Sequence, residues 1–256
     1  MIPVNVRSVK IGEGIPKICV PIVGVTVDDI INEANAIVSL PADVVEWRAD
    51  WYEDVHVHEK VGQVLAQLRG VLKDTPILFT FRTKEEGGEQ KIEDLAYAGL
   101  NRFVIDTGYA DLIDVEIFSK KSVAEEIVRY AHKNGAVVVA SNHDFEKTPD
   151  KREIVSRLLA MDRLEADILK MAVMPKCEED VQVLLAATKE TTSATEKPLI
   201  TMSMSEMGKI SRVSGEEFGS AITFGSAGKV SAPGQVSVME LKGILEEFHR
   251  SLIKKG

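Results

Sequence analysis

A lysine inside an apolar, strand-like run is the residue of this sequence whose type and position most clearly suggest chemistry. Lys170 is the one charged member of residues 168–173, which read ILKMAV. Burying an ammonium without a partner costs several kcal/mol, and loss of the proton relieves that cost. A neutral amine in a dry pocket is a nucleophile for carbonyl carbon, so Lys170 predicts Schiff-base chemistry. A structural ion pair is the alternative interpretation.

A histidine at the end of the preceding apolar run could supply the proton transfers that a lysine imine needs. His143 precedes Lys170 by 27 residues, and one strand–helix–strand unit takes roughly 30 residues. The two side chains would therefore lie on neighbouring parallel strands, with their tips close together. Histidine titrates near neutral pH, and imine formation and breakdown require a general acid and base. Packing or a surface position is the alternative for any single histidine.

Charged residues at the ends of other runs suggest the kind of ligand. Glu46 and Arg48 are two residues apart and therefore point to the same face of a strand. Arg48, Arg82 and Arg212 offer guanidinium forks to a carboxylate, and Glu46 could accept hydrogen bonds from hydroxyl groups. These residue types predict a small, negatively charged, polyhydroxylated carbonyl compound. A satisfied ion pair is the alternative for Glu46 and Arg48, and a structural role is the alternative for Arg82.

Eight short β-branched runs, each followed by a helical pattern, must position these residues. The strand-like runs are residues 17–25, 44–48, 77–82, 112–117, 136–141, 167–173, 199–204 and 221–224. The helical patterns are residues 27–38, 59–72, 90–107, 122–133, 150–164, 178–191, 215–218 and 238–253. Eight units of about 32 residues predict a (β/α)8 TIM barrel, whose active site would lie at the carboxyl ends of the strands.

The remaining elements refine this fold prediction. An open doubly wound sheet is the alternative, but the turn after the first run lacks the glycine-rich dinucleotide fingerprint of such sheets. Residues 4–11 alternate weakly and predict a β-hairpin that closes the bottom of the barrel. No linker or low-complexity tract interrupts the rhythm, so residues 1–256 are expected to form a single domain.

The overall composition excludes several classes of protein. Hydrophobic residues make up 45% and charged residues 28% of the 256 residues, and the mean hydropathy is −0.01, which excludes a disordered or membrane-spanning chain. A net charge of −9 argues against nucleic-acid and anionic-membrane partners. The two cysteines form no metal-binding pattern and fit a reducing compartment. With no signal peptide, the chain is expected to be cytoplasmic.

A set of motifs from residue 17 to residue 235 resembles one known family, the type I 3-dehydroquinate dehydratases. The motifs are EWR (46–48), FTFR (79–82), EGGEQ (86–90), DVE (114–116), SNHDFEKTP (141–149), ILKMAVMP (168–175), SR (211–212) and SAPGQ (231–235). The resemblance implies syn dehydration of 3-dehydroquinate to 3-dehydroshikimate through a lysine imine, the third step of the shikimate route to aromatic amino acids. It also implies a homodimer that needs neither a metal ion nor an organic cofactor.

The resemblance further implies a role for each matching residue. Lys170 would form the Schiff base, and His143 would donate and accept protons while Glu86 orients it. The substrate-binding residues would be Glu46, Arg48, Arg82, Arg212, Ser231 and Gln235. Residues 225–235 are rich in glycine, serine and alanine and are expected to form a mobile lid.

One departure from the family and two rival functions stay open at this stage. Pro21 stands where a hydroxyl-bearing residue near the site is expected, which leaves the contact from the first strand in doubt. The first rival is a lysine-imine aldolase or transaldolase for sugar phosphates, with residues 225–228 as its phosphate cradle. The second is a non-catalytic barrel that binds an acidic metabolite.

Overall fold

Parallel strands alternate with helices along most of the chain in a computed structural model, which describes residues 1–228 and 234–254. The strands are β1 (Val4–Val6), β2 (Val9–Ile11), β3 (Lys17–Ile22), β4 (Val44–Arg48), β5 (Ile77–Thr80), β6 (Leu112–Glu116), β7 (Val137–Asp144), β8 (Ile168–Val173), β9 (Leu199–Ser203), β10 (Ile222–Ser226) and β11 (Val236–Ser237). The helices are α1 (Val27–Ile37), α2 (His58–Leu72), α3 (Asp94–Thr107), α4 (Lys121–Lys133), α5 (Lys151–Arg163), α6 (Glu178–Ala194), α7 (Lys209–Val213), α8 (Gly215–Phe218) and α9 (Val238–Ile253).

The parallel strands follow one another round a ring. The order in the sheet is β11-β10-β3-β4-β5-β6-β7-β8-β9, so the first barrel strand lies between the last and the second. The ring closes between β9 and β10, where Leu199 and Ser220 form a parallel bridge and the Ala221 N–H donates to the Leu199 carbonyl at 2.7 Å. This closure confirms the TIM barrel and excludes the open sheet.

Element boundaries differ from the sequence prediction where tertiary contacts intervene. Helix α3 begins at Asp94 rather than at residue 90, because Thr83 and Gln90 form a parallel bridge that holds the preceding segment extended. Strand β3 ends at Ile22 rather than at residue 25. Just beyond it the backbone at Gly24 packs against α1, where a Cβ would lie 2.4 Å from the Ile30 nitrogen.

At the bottom of the barrel, side-chain oxygens that precede every second barrel strand accept hydrogen bonds from the backbone of the neighbouring strand. Asp43, Asp111 and Asp167 each precede a strand and accept a backbone N–H from the strand before it, at 2.8 Å in all three cases. Ser220 takes the same position before β10, where its hydroxyl accepts the Thr201 N–H at 3.0 Å. These contacts fix the stagger of neighbouring strands, on which the alignment of their other ends depends.

The N-terminal hairpin lies against the same end, as the sequence predicted. β1 and β2 pair antiparallel, and Val6 and Ile11 pack among buried residues such as Val44 and Ile168, from the starts of barrel strands. At the turn, Arg7 pairs with Asp111 at 2.7 Å. The bottom of the barrel is therefore closed, which leaves the carboxyl ends of the strands as the open mouth.

The register of two neighbouring strands places the chemically distinctive residues at this mouth. β7 and β8 pair Ser141 with Lys170 and His143 with Ala172. Lys170 and His143 are thus two register positions apart on adjacent strands, and both point into the barrel. None of the described helices is long and apolar enough to cross a membrane.

Candidate active site

A cavity at the carboxyl ends of the barrel strands brings most of the sequence-predicted site residues together. It is lined by Glu46, Arg48, Arg82, Glu86, Gly87, His143, Phe145, Lys170, Ala172, Met202, Met204, Arg212, Phe224 and Gln235. Eight of the nine residues predicted from the sequence are in this lining. The ninth, Ser231, lies outside the described residues, as does part of the expected lid at 225–235. Pro21 is buried beside Glu46 in the sheet and is not among the lining residues.

Lys170 is almost completely buried, but it is not without partners. Its Nζ lies 3.2 Å from Glu46 Oε1 and 3.2 Å from Asp114 Oδ2, and 4.7 Å from the centre of the Phe224 ring. Burial acts to raise the pKa of Asp114, but the charges of Arg82 and Lys170 bring it below its usual value, so Asp114 stays ionised. The structure therefore corrects the premise of an unpartnered ammonium: two carboxylates hold the amine at the floor of the cavity.

His143 is held by a carboxylate from the neighbouring loop. Its Nδ1 lies 3.0 Å from Glu86 Oε2, and the same oxygen accepts the His143 backbone N–H at 2.9 Å. Glu86 ends a short 3-10 helix at Lys84–Glu86, which follows β5. The contact fixes both the ring and the backbone of His143, and it leaves Nε2 as the nitrogen that is available to a ligand.

The protonation of this pair is set by its burial. Burial and the nearby carboxylate of Glu116 raise the pKa of Glu86 to about 8, against the opposing effects of Arg82, Asn142 and Ser119. Burial, followed by the positive charges of Arg82, Lys170 and Arg48, holds the pKa of His143 well below its usual range. The imidazole is therefore neutral at physiological pH, and its Nε2 can act as a base toward a bound ligand once the ionised Glu86 accepts the proton of Nδ1.

Arg82 is a structural cation rather than an open fork. Its guanidinium donates to Asp114 at 2.7 Å, to Glu116 at 2.8 Å and to the Ser141 hydroxyl at 3.0 Å, and the side chain is 3% exposed. Those contacts occupy both of its terminal nitrogens. Arg82 therefore organises the carboxylates next to Lys170, which differs from the expectation that its fork is free for a ligand.

Asp50 is a site residue that the sequence reasoning missed. Its carboxylate accepts from Arg48 Nε at 2.8 Å and from Nη2 at 2.9 Å, and also from the backbone N–H groups of Arg82 and Glu89 at 3.2 Å each. One fully buried side chain thus joins the ends of β4 and β5 and the loop that carries Glu86. Its place two residues after Arg48, in EWRAD, was the signal that could have identified it.

We expect Asp50→Asn to lower the free energy of unfolding by about 3 kcal/mol or more. The amide would turn NH₂ hydrogens toward N–H donors that the carboxylate now accepts, and the buried guanidinium of Arg48 would lose its counter-charge. Urea unfolding of the two proteins gives this difference. The exposed Asp28 on α1 is the control, because Asp28→Asn should change stability by only about 0.5 kcal/mol. Equal effects of the two substitutions would contradict the role given to Asp50.

Arg212 supplies a cation on the opposite wall. It lies on α7 with its Nη1 3.9 Å from the sulfur of Met202, and burial lowers its pKa to about 10, which still leaves it positively charged at neutral pH. Gln235 also lines the cavity. Arg212 therefore brings a positive charge to the lining of the cavity, where it could meet an anionic ligand.

The charges around the cavity are more balanced than the sequence suggested. The expected cations Arg48, Arg82, Lys170 and Arg212 are all present, but they stand among five buried carboxylates. These are Glu46, Asp50, Glu86, Asp114 and Glu116. Within residues 1–228 and 234–254, no three His, Cys, Asp or Glu side chains are grouped so that they could hold a metal ion. The cavity brings together an amine, an imidazole and cations that could meet an anionic ligand.

Known proteins similar to this chain cover nearly its whole length. Residues 18–251 match the family model for type I 3-dehydroquinase. A 3-dehydroquinate dehydratase of Clostridioides difficile is 52% identical over 250 residues, 97% of this chain and 98% of that protein. The crystal structure of type I 3-dehydroquinate dehydratase from Clostridium difficile with covalently modified comenic acid superposes with a TM-score of 0.94 at 51% identity, covering 97% and 98% of the two chains. The Enterococcus faecalis 3-dehydroquinate dehydratase structure gives a TM-score of 0.90 at 44% identity, covering 96% and 99%.

Proposed function

Because the chain belongs to the type I 3-dehydroquinase family of carbon–oxygen hydro-lyases, we propose that it dehydrates 3-dehydroquinate to 3-dehydroshikimate by syn elimination through a Schiff base on Lys170. The reaction belongs to the shikimate pathway. The observation that carries the proposal is the buried amine of Lys170, which shares one cavity with the His143–Glu86 pair on the adjacent strand.

The proposed chemistry follows from the groups at the floor of the cavity. The Lys170 ammonium would first give one proton to His143 Nε2, and the neutral amine would then attack the substrate ketone to form a carbinolamine. Return of that proton to the carbinolamine hydroxyl lets it leave as water and gives a positively charged iminium. Glu46 and Asp114, which lie 3.2 Å from the amine nitrogen, would stabilise that charge as they stabilise the ammonium. The iminium acidifies the neighbouring carbon because it accepts the electron pair left when the proton departs.

His143 would carry the protons between these steps. Its Nε2 removes the proton from the acidified carbon, and the imidazolium then returns a proton to the departing hydroxyl, which leaves as water. A second water hydrolyses the imine and restores Lys170, so the net reaction is the loss of one water molecule. A positioned general acid–base group contributes about 10²–10⁴-fold to such a reaction.

Substrate binding is assigned to the rest of the lining. Arg212 would bind the substrate carboxylate with help from Gln235, and Arg48 and Glu46 would contact ring hydroxyls. Ser231, which lies outside the described residues, is assigned to the carboxylate by the family resemblance alone. Arg82 would hold the electrostatic frame through Asp114 and Glu116. The Clostridium difficile enzyme was crystallised with covalently modified comenic acid, which supports covalent chemistry in this family.

A spectroscopic assay for the conjugated enone product, with 3-dehydroquinate as the substrate, tests the proposal directly. We expect turnover with the purified protein alone, without added metal or cofactor. Inorganic phosphate separates the sugar-phosphate aldolase from this function, because a phosphate cradle would be inhibited by it and a carboxylate site much less. Binding of the substrate without any product would favour the non-catalytic barrel instead.

We expect the rate to rise with pH and to level off near pH 8, the value to which burial and Glu116 raise the pKa of Glu86. Below this pH, Glu86 is a carboxylic acid that donates a hydrogen bond to His143 Nδ1. The proton of the neutral ring then lies on Nε2, which cannot act as the base. Above this pH, the carboxylate accepts the Nδ1 proton and frees the lone pair of Nε2. The rate should change about tenfold per pH unit below the turning point, which kcat measured across the pH range will show.

Glu86→Gln is the matched variant for this pH dependence. Glutamine cannot ionise, so the rising limb should move to lower pH, where it is set by His143 alone, whose pKa is held well below its usual range. The rate at the plateau should also fall, because the amide is a weaker partner for the imidazolium than a carboxylate is. An unchanged pH profile in this variant would show that Glu86 does not control the base.

The proposal also covers the oligomeric state, the cellular location and the domain organisation of the protein. We infer a homodimer from the family resemblance, which light scattering of the purified protein can check. A cytoplasmic location is consistent with Cys19 and Cys177, which are both free thiols in the structure. The family model covers residues 18–251, which supports one domain over residues 1–256.

A further inference from the structure

A chain of hydrogen bonds runs from helix α5 to the His143–Glu86 pair. Arg157 Nη1 donates to the amide oxygen of Asn142 at 3.0 Å. The amide nitrogen of Asn142 then donates to Glu86 Oε1 at 3.2 Å, while the other oxygen of Glu86 contacts His143. Arg157 is not part of the cavity lining, and the buried Asn142 amide links it by hydrogen bonds to Glu86.

The direction of the Asn142 amide is determined by its two neighbours. A guanidinium has five N–H donors and no acceptor, so the group that faces Arg157 must be the amide oxygen. Oε1 of Glu86 is an acceptor in either protonation state, because the proton of the acid form lies on Oε2 toward His143 Nδ1, so the group that faces Oε1 must be the amide NH₂. A reversed amide would place its oxygen against a carboxylate oxygen and its NH₂ against the guanidinium, and both contacts would be repulsive.

Arg157 is itself held in place from three sides. It forms ion pairs with Asp144, 3.6 Å away, and with Glu153 one turn earlier on α5. The carbon of its guanidinium lies 6.0 Å from the centre of the Phe118 ring. Only 22% of the side chain is exposed. The donor that faces Asn142 is therefore fixed before any ligand binds.

From this geometry we propose that Arg157 is a positioning residue for the reaction, which acts through the Asn142 amide to hold Glu86 as the partner of His143. The inference rests on the proposed function of the His143–Glu86 pair. It extends the site to a residue on a helix outside the barrel, and it gives the Asn142 amide a defined task in the proton transfer.

We expect the loss of Arg157 to change the pH at which the His143–Glu86 pair loses its proton. Glu86 faces Glu116, which favours its protonated form, and Arg82, Ser119 and Asn142, which favour the carboxylate. His143 faces Arg82, Lys170 and Arg48, which oppose its protonation. Without Arg157, the Asn142 amide has no group to fix its direction, and Glu86 loses a dependable donor. The carboxylate is then less stable and the pKa of Glu86 rises further.

Arg157→Met is the variant that tests this inference, because methionine keeps an unbranched apolar side chain and removes every donor. We expect the rising limb of the pH–rate profile to move up by about one pH unit, with kcat at pH 7 lower by about tenfold. KM and kcat on the high-pH plateau should change little, since the residue does not line the cavity. The control is Arg152→Met, which removes an exposed arginine from the same helix and should leave the profile unmoved.

A second measurement does not depend on catalysis. NMR of isotope-labelled histidine in the protein without substrate follows the ring of His143, which can be assigned among the five histidines by its loss in His143→Ala. We expect its titration to shift in Arg157→Met by the same amount as the rate profile. If the chain fails to dehydrate 3-dehydroquinate, the proposed function fails, whereas this titration still tests the role of Arg157.

The interaction between Arg157 and Asn142 can be isolated with a double-mutant cycle. Asn142→Ala should shift the profile like Arg157→Met, and the double variant should shift it no further, because both substitutions remove the same donor from Glu86. Arg157→Lys should restore part of the shift, since an ammonium can still donate to the amide oxygen. Additive shifts in the double variant, or a wild-type profile and titration in Arg157→Met, would overturn the inference.

Discussion

Lys170→Ala should leave no measurable dehydration of 3-dehydroquinate, a loss of about 10⁴-fold or more. Without the amine there is no iminium to accept the electron pair, so the carbon next to the ketone stays too weakly acidic for His143 to deprotonate. Borohydride reduction with substrate should add the mass of the reduced adduct to the wild-type protein and not to the variant. Mass spectrometry of the peptide that contains residue 170 checks this result.

The variant also removes a buried cation, and its control must separate charge from chemistry. In Lys170→Ala, Glu46 and Asp114 lose the ammonium that lies 3.2 Å from each. Lys170→Arg keeps a positive charge for these carboxylates but cannot form an imine, so it should be folded and equally inactive. Lys151 lies on the exposed side of α5, so the Lys151→Ala variant should turn over substrate normally and should still form the borohydride-reduced adduct on Lys170. Normal turnover in Lys170→Ala would rule out the imine mechanism.

The His143→Ala variant should bind substrate and form the imine, but the later steps of the reaction should be slow. We expect slow imine formation on Lys170, with elimination and hydrolysis slowed by about 10²–10⁴-fold, because no other group is assigned the protons of these steps. Borohydride should therefore trap as much adduct as in the wild type, or more, while the product forms slowly. Steady-state rates combined with trapping yields provide the measurement.

The control for His143→Ala is a histidine far from the cavity. His132 pairs with Asp167 at 2.9 Å at the bottom of the barrel, so His132→Ala should leave kcat unchanged whatever it does to stability. A fall in the steady-state rate of less than tenfold in His143→Ala would mean that another group is the main proton carrier.

The barrel was predictable because its signals are local. Each strand is a short apolar run covered on both faces, and each helix follows with its own stripe of buried residues, so the alternation can be counted along the chain. Thr26, a residue type that favours helix N-caps, caps α1 through a capping box with Asp29, so this helix start is also a local signal. The ends of elements were less predictable. The Thr83–Gln90 bridge and the contact of Gly24 with α1 join residues from different elements.

The candidate site was predictable only in part, for a related reason. A charged residue within an apolar strand is visible in the sequence, which is why Lys170, Glu46 and Arg48 could be selected. Asn142 was visible beside His143, but its amide gains a task only when Arg157 and Glu86 are placed on either side of it. Asp50 follows a strand end, where an aspartate looks like ordinary loop chemistry until its four donors are known.

The sequence by itself determined the barrel and the residue types able to form an imine, move protons and bind an anion. It did so because periodicity and exceptions to it are properties of neighbouring residues. The tertiary structure decided which opposite charges come into contact. Lys170 and Glu46 are 124 residues apart, and Arg82 and Asp114 are 32 apart, yet each pair is in direct contact. Coulomb energy and desolvation depend on such distances and on burial, which only the closed barrel sets.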